Sequence, residues 1–142
     1  MAVQRWRVVE CEVLVKPGVR SRQLVWPRSS PECRTTITHV TMEPGSVSER
    51  HAHADSEQIW IVEQGEGLLL LADQQSEVLR AGDIVRTPAG EMHGVVNGGE
   101  GPLVYLAITT PPQDFSSAYT TATSASSDRP PSPNRSAGMS GV

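Results

Sequence analysis

Turn-forming clusters interrupt this chain too often for helices. Lys-Pro-Gly at 16–18, Glu-Pro-Gly at 43–45, Gln-Gly-Glu-Gly at 64–67, Ala-Gly-Asp at 81–83, Pro-Ala-Gly at 88–90 and Asn-Gly-Gly at 97–99 each stop one segment and start another. Glycine accepts positive φ and proline fixes φ while removing a donor, so each cluster turns the chain. The predicted strands between them are Arg5–Val15, Arg22–Trp26, Thr35–Met42, Gln58–Val62, Leu68–Ala72, Glu77–Arg80, Ile84–Arg86, His93–Asn97 and Leu103–Thr109. No window carries a helical period of useful length. Short strands at this spacing specify an all-β sandwich or barrel, with room for a single domain.

Two strands are apolar on both faces: Gln58-Ile-Trp-Ile-Val62 and Leu68-Leu-Leu-Leu71. One face can line a barrel, and the other needs cover from the N-terminal segment or from a second subunit. A homodimer is therefore expected. The mean hydrophobic content of 37% hides two regimes. Residues 1–110 carry the apolar runs and form the domain. Residues 111–142 are Ser-, Thr-, Pro- and Ala-rich and are expected to form a flexible tail, with Phe115 and Tyr119 as its anchors.

The charge of −4 comes with scattered basic residues, eleven of the twelve being Arg. Nucleic-acid binding needs clustered cations, so it is not expected. There is no apolar run long enough to span a membrane and no signal-like N-terminus, and Cys11 and Cys33 belong to no metal or redox motif. A cytoplasmic protein with reduced thiols is the expectation.

The chemistry concentrates in two stretches. In a strand, residues i and i+2 share a face, so His51 and His53 stand side by side, roughly 7 Å apart at the backbone. Two imidazoles so placed can converge on one ion. The second stretch, Gly82 through Pro88-Ala-Gly90 to His93 and Asn97, makes a tight turn and returns His93 across the barrel as a third ligand.

These stretches resemble the two cupin motifs. The first runs from Gly45 through His51-Ala-His53 to Gly65. The second runs Gly82, five residues, Pro88-x-Gly90, two residues, His93, three residues, Asn97. The resemblance implies a jelly-roll (double-stranded β-helix) barrel holding one divalent metal ion per subunit. It also implies a Glu ligand, but counting back six residues from Gly65 lands on Gln58. Glu57 fits only with altered spacing, and a one-residue slip would point it the other way. Gln58 is taken as the inward, candidate catalytic residue, with Trp60 and Val62 on its face lining the substrate pocket. His39, in the strand feeding the first motif, is a candidate fourth metal ligand filling the missing carboxylate's place.

Three or four imidazoles and an amide leave the ion nearly its full charge, which suits polarisation of a carbonyl. Zn2+ is the expected metal, with Fe2+, Ni2+ and Cu2+ as alternatives. The chain is similar to the small cupin-type aromatic polyketide cyclases, such as that of resistomycin biosynthesis. This resemblance implies aldol cyclisation and aromatisation of a poly-β-ketone, free or bound to an acyl carrier. Metal-bound hydroxide is the expected proton acceptor, with Glu57 and Asp55 as alternative bases that depend on the register. An O2-dependent dioxygenase, a small-sugar isomerase and a non-catalytic ligand-binding cupin are the competing expectations.

Overall fold

A computed structural model describes residues 2–121 of the chain. Its strands are β1 (Val13–Lys16), β2 (Val19–Val25), β3 (Thr36–Met42), β4 (Val47–His51), β5 (Glu57–Gln64), β6 (Glu66–Leu71), β7 (Ser76–Arg80), β8 (Ile84–Thr87), β9 (His93–Val96), β10 (Leu103–Thr110) and β11 (Thr120–Thr121). All pair antiparallel, in a seven-stranded sheet ordered β11-β1-β2-β3-β10-β5-β8 and a four-stranded sheet ordered β4-β9-β6-β7. The sheets face each other as a jelly-roll-like barrel. No helix among the described residues is long and apolar enough to cross a membrane.

Alternation along the central strands assigns the interior. On β3, Thr36, Thr38, Val40 and Met42 are buried while Ile37, His39 and Thr41 look outward. On β5, Gln58, Trp60 and Val62 are buried, and on β10 Leu103, Tyr105, Ala107 and Thr109. The apolar part of this interior packs with Leu69, Leu79 and Val95 of the smaller sheet. Tyr105 and Trp60 sit with ring centroids 4.7 Å apart at the centre.

Three expectations need correcting. The Arg5–Val15 segment is a strand only from Val13. It begins with a 3-10 turn at Val8–Glu10, and Val3, Val8 and Val9 are exposed because the segment runs outside the barrel. The strand predicted as Arg22–Trp26 begins earlier, at Val19, on the two-residue turn after Lys16. The domain also continues past residue 110. Asp114 pairs with Arg28 at 2.9 Å, Gln113 N donates to Thr36 Oγ1 at 2.9 Å, and Phe115 is buried on a 3-10 turn. Side-chain hydrogen bonds, which composition does not report, hold this strap. Residues 122–142 of the expected tail lie outside the described residues.

Candidate metal centre

His51 ends β4, His53 lies two residues beyond it and His93 opens β9. His51 and His93 are cross-strand partners in the β4–β9 ladder, which is irregular between Ser48 and His51. The i, i+2 relation survives although His53 has left the strand: His51 and His53 are buried and Ala52 between them is exposed. Ring centroids are 5.0 Å apart for His51–His53, 4.4 Å for His51–His93 and 5.2 Å for His53–His93. One ligand nitrogen from each lies within 4.8 Å of the others.

Backbone carbonyls orient two of the rings. His51 Nδ1 is 2.7 Å from Glu49 O and His93 Nδ1 is 3.2 Å from Glu91 O. A carbonyl only accepts, so the contact of His51 assigns its proton to Nδ1 and turns its Nε2 lone pair toward the other rings. Such outer contacts fix the tautomer in metal sites. Burial holds the His53 pKa down at about 4, helped by the neighbouring His51, against a small opposing pull from Gln113. Burial and then His51 lower that of His93 to about 3. Both rings are therefore neutral near pH 7, the form a metal requires.

Gln58 completes the arrangement. Trp60 Nε1 donates to Gln58 Oε1 at 2.8 Å, and Gln58 Nε2 donates to Thr109 Oγ1 at 2.9 Å. An indole N–H can only donate, so the amide cannot be flipped. Its oxygen stands 3.1 Å from His93 Nε2. Neutral His93 therefore stands between two acceptors, Glu91 O at Nδ1 and Gln58 Oε1 at Nε2, and can donate to only one of them; a cation bound at Nε2 would leave the Nδ1 proton for Glu91 O. Among the described residues no His53 Nε2 hydrogen bond compensates its burial. The donor set fits a divalent ion: three imidazoles with a neutral amide oxygen beside them.

Of the remaining candidates, Trp60 stands beside the cluster, its ring 5.6 Å from that of His93, and Val62 is buried further along the same face. His39 is not brought to the cluster. It lies on the outer face of β3, with Nε2 3.1 Å from Glu63 Oε1. Burying Val40 and Met42 obliges His39 to point outward, which corrects its assignment as a fourth ligand. Glu57 also faces outward, paired with Arg86, and Asp55 is exposed. No carboxylate joins the histidine cluster among the described residues.

Sequence reasoning missed the closure of the site. Phe115 packs edge-on to His53 with centroids 5.6 Å apart, and Gln113 Nε2 donates to Ser56 Oγ at 2.9 Å. Only the aromatic residues of the strap were visible as a signal.

A family model described as a cupin domain matches residues 38–109. An uncharacterized protein of Methanocaldococcus jannaschii is 29% identical over 99 residues, covering 70% of this chain and 78% of its own. A sugar phosphate isomerase from a cupin superfamily of Silicibacter pomeroyi superposes with a TM-score of 0.63 at 25% identity, over 75% of each chain. The polyketide cyclase RemF of Streptomyces resistomycificus superposes with a TM-score of 0.66 at 23% identity, over 77% of this chain and 80% of that one. At that identity the likeness to RemF concerns the fold.

Proposed function

This chain belongs to the cupin family, and from that premise we propose that it is a metal-dependent polyketide cyclase. In this reading it closes a poly-β-ketone by intramolecular aldol condensation and dehydration. The observation that carries the reading is the donor set: His51, His53 and His93 with the oriented amide of Gln58, and no carboxylate among them. A divalent ion held by neutral ligands supplies Lewis acidity toward a carbonyl or enolate oxygen.

The chain's own residues do the rest. Trp60 and Thr109 hold Gln58 with its oxygen toward the site, so that its acceptor is in place before substrate arrives. Glu49 O and Glu91 O hold the rings of His51 and His93. Phe115 and the strap shield His53 from water, favouring dehydration. Zn2+ is the proposed ion because the reaction needs no electron transfer.

The test is turnover of a synthetic poly-β-ketone thioester, followed by product absorbance, with metal content measured in parallel. His51→Ala and His93→Ala should lose both metal and cyclisation. Equal turnover with and without oxygen is expected, and full activity in protein shown to be metal-free would sink the mechanism.

A second reading, isomerisation of a small hydroxylated substrate, is favoured by one observation. The inner face of the larger sheet carries several buried polar side chains, Ser21, Gln23, Thr36, Thr38 and Thr109, which suit a hydroxylated substrate. Release of a sugar isomer, with no cyclisation, would decide for it.

We also propose a second copy of the chain as partner. Ile59 and Ile61 of β5 pair with Ile108 and Leu106 of β10 on the outer sheet face, and Ile84 pairs with Ile61. The N-terminal segment leaves Ile61 36% and Ile84 70% exposed.

A further inference from the structure

The three imidazoles are not anchored alike. His51 Nδ1 and His93 Nδ1 each lie beside the backbone carbonyl two residues before the ring, Glu49 O at 2.7 Å and Glu91 O at 3.2 Å. For His53 the hydrogen-bond partner is a side chain instead, that of Gln113 on the strap. This bond runs to Nδ1, because His53 Nε2 is buried with no hydrogen bond among the described residues.

The direction of the bond follows from the groups behind Gln113. Ser56 Oγ lies 2.8 Å from Pro111 O, and a carbonyl only accepts, so the Ser56 hydroxyl proton is spent there. Ser56 Oγ can then only accept from the Gln113 amide 2.9 Å away, which places Nε2 on that side. Oε1 is left to accept from His53. The opposite ring tautomer would aim an N–H into the buried histidine cluster with no acceptor to receive it, which is costly.

The backbone of Gln113 is held just as firmly. Gln113 N donates to Thr36 Oγ1 at 2.9 Å, and Thr36 Oγ1 donates to Gln113 O at 2.7 Å. One fully buried hydroxyl of β3 thus satisfies both polar groups of the residue. Phe115, two positions further on, packs edge-on against the same His53 ring.

We infer that Gln113 is the positioning residue of His53, its oxygen accepting the Nδ1 proton and so turning the Nε2 lone pair toward the other two rings. The inference rests on the metal-dependent part of the proposed function and is independent of the substrate. Without the acceptor, the ring is free to rotate or to carry its proton on Nε2, and either change withdraws a lone pair from the ion. Outer hydrogen bonds of this kind are worth roughly 10–100-fold in metal affinity. The segment after β10 is therefore part of the metal centre as well as its cover.

Two measurements on the full-length chain test this. Long-range proton–nitrogen NMR correlations on histidine-labelled, metal-free protein near neutral pH read the tautomer of His53, and Nδ1–H is expected. Competition with a chromogenic chelator reads zinc affinity, which should fall roughly 10–100-fold in Gln113→Leu. Gln113→Glu keeps an acceptor of the same reach and should bind zinc at least as tightly as the unaltered chain, which a merely space-filling role does not predict. Should Gln113→Leu fail to fold, the tautomer of the unaltered chain decides alone. A His53 proton found on Nε2, unchanged affinity in Gln113→Leu, or Gln113→Glu as weak as Gln113→Leu overturns the inference. An unaltered chain that binds no zinc would end the metal reading, and the tautomer of the metal-free protein then decides this inference by itself.

Discussion

Position 58 is where one atom exchange changes the chemistry. Gln58→Glu keeps the acceptor for Trp60 and places a negative charge 3.1 Å from His93 Nε2. The expected result is at least tenfold tighter metal binding, read by competition with a chromogenic chelator, and slower cyclisation because the ion's charge is partly neutralised. Unchanged affinity would mean that the side chain does not face the ion. The histidines also set a pH dependence. The pKa values of His53 and His93 fall from an ordinary 6.5 to about 4 and about 3 on folding. Below pH 6.5 the unfolded chain therefore binds more protons than the folded one, and stability present above that pH is lost as the pH falls. Metal-free protein should lose roughly 2–4 kcal/mol between pH 6.5 and 5 in denaturant titrations. A flat profile would contradict the burial of these rings.

At the level of elements, the contact between β4 and β9 carries the site. A Cβ on Gly94 would lie 2.7 Å from Ser48 O and 3.0 Å from Arg50 N, both backbone atoms of β4. Gly94→Ala must therefore push β4 aside and carry His51 with it. The expected cost is about 2–4 kcal/mol of stability in denaturant melts, together with weaker metal binding. The strap makes a complementary case. Removing the Arg28–Asp114 pair should barely change stability, since both side chains are substantially exposed.

For the whole molecule, the larger sheet's outer face is the feature left unexplained by the monomer. Ile61 and Ile84 are cross-strand neighbours there, between the His39–Glu63 pair and the Arg86–Glu57 pair. If a second copy covers this face, Ile61→Glu combined with Ile84→Glu should give a monomer with its metal site intact. Sedimentation velocity at micromolar concentration checks this, and a wild-type monomer would remove the dimer proposal.

The turn clusters and the regular spacing of short strands between them determined an all-β fold, and the two histidine stretches determined which three imidazoles meet, because i, i+2 geometry and turn chemistry are local. The choice of Gln58 over Glu57 came from the motif spacing back from Gly65, and Trp60 and Val62 then shared its face by i, i+2 parity. The fate of His39 was not legible, since β3 alternates Ile37 against Val40 and Met42, and only the packing of two sheets chose which face to bury. The strap over His53, the orientation of Gln58 by Trp60 and Thr109, and the placing of Gln113 beside His53 were likewise decided by tertiary structure. Each depends on contacts between residues far apart in the chain, such as the 86 positions separating Arg28 from Asp114.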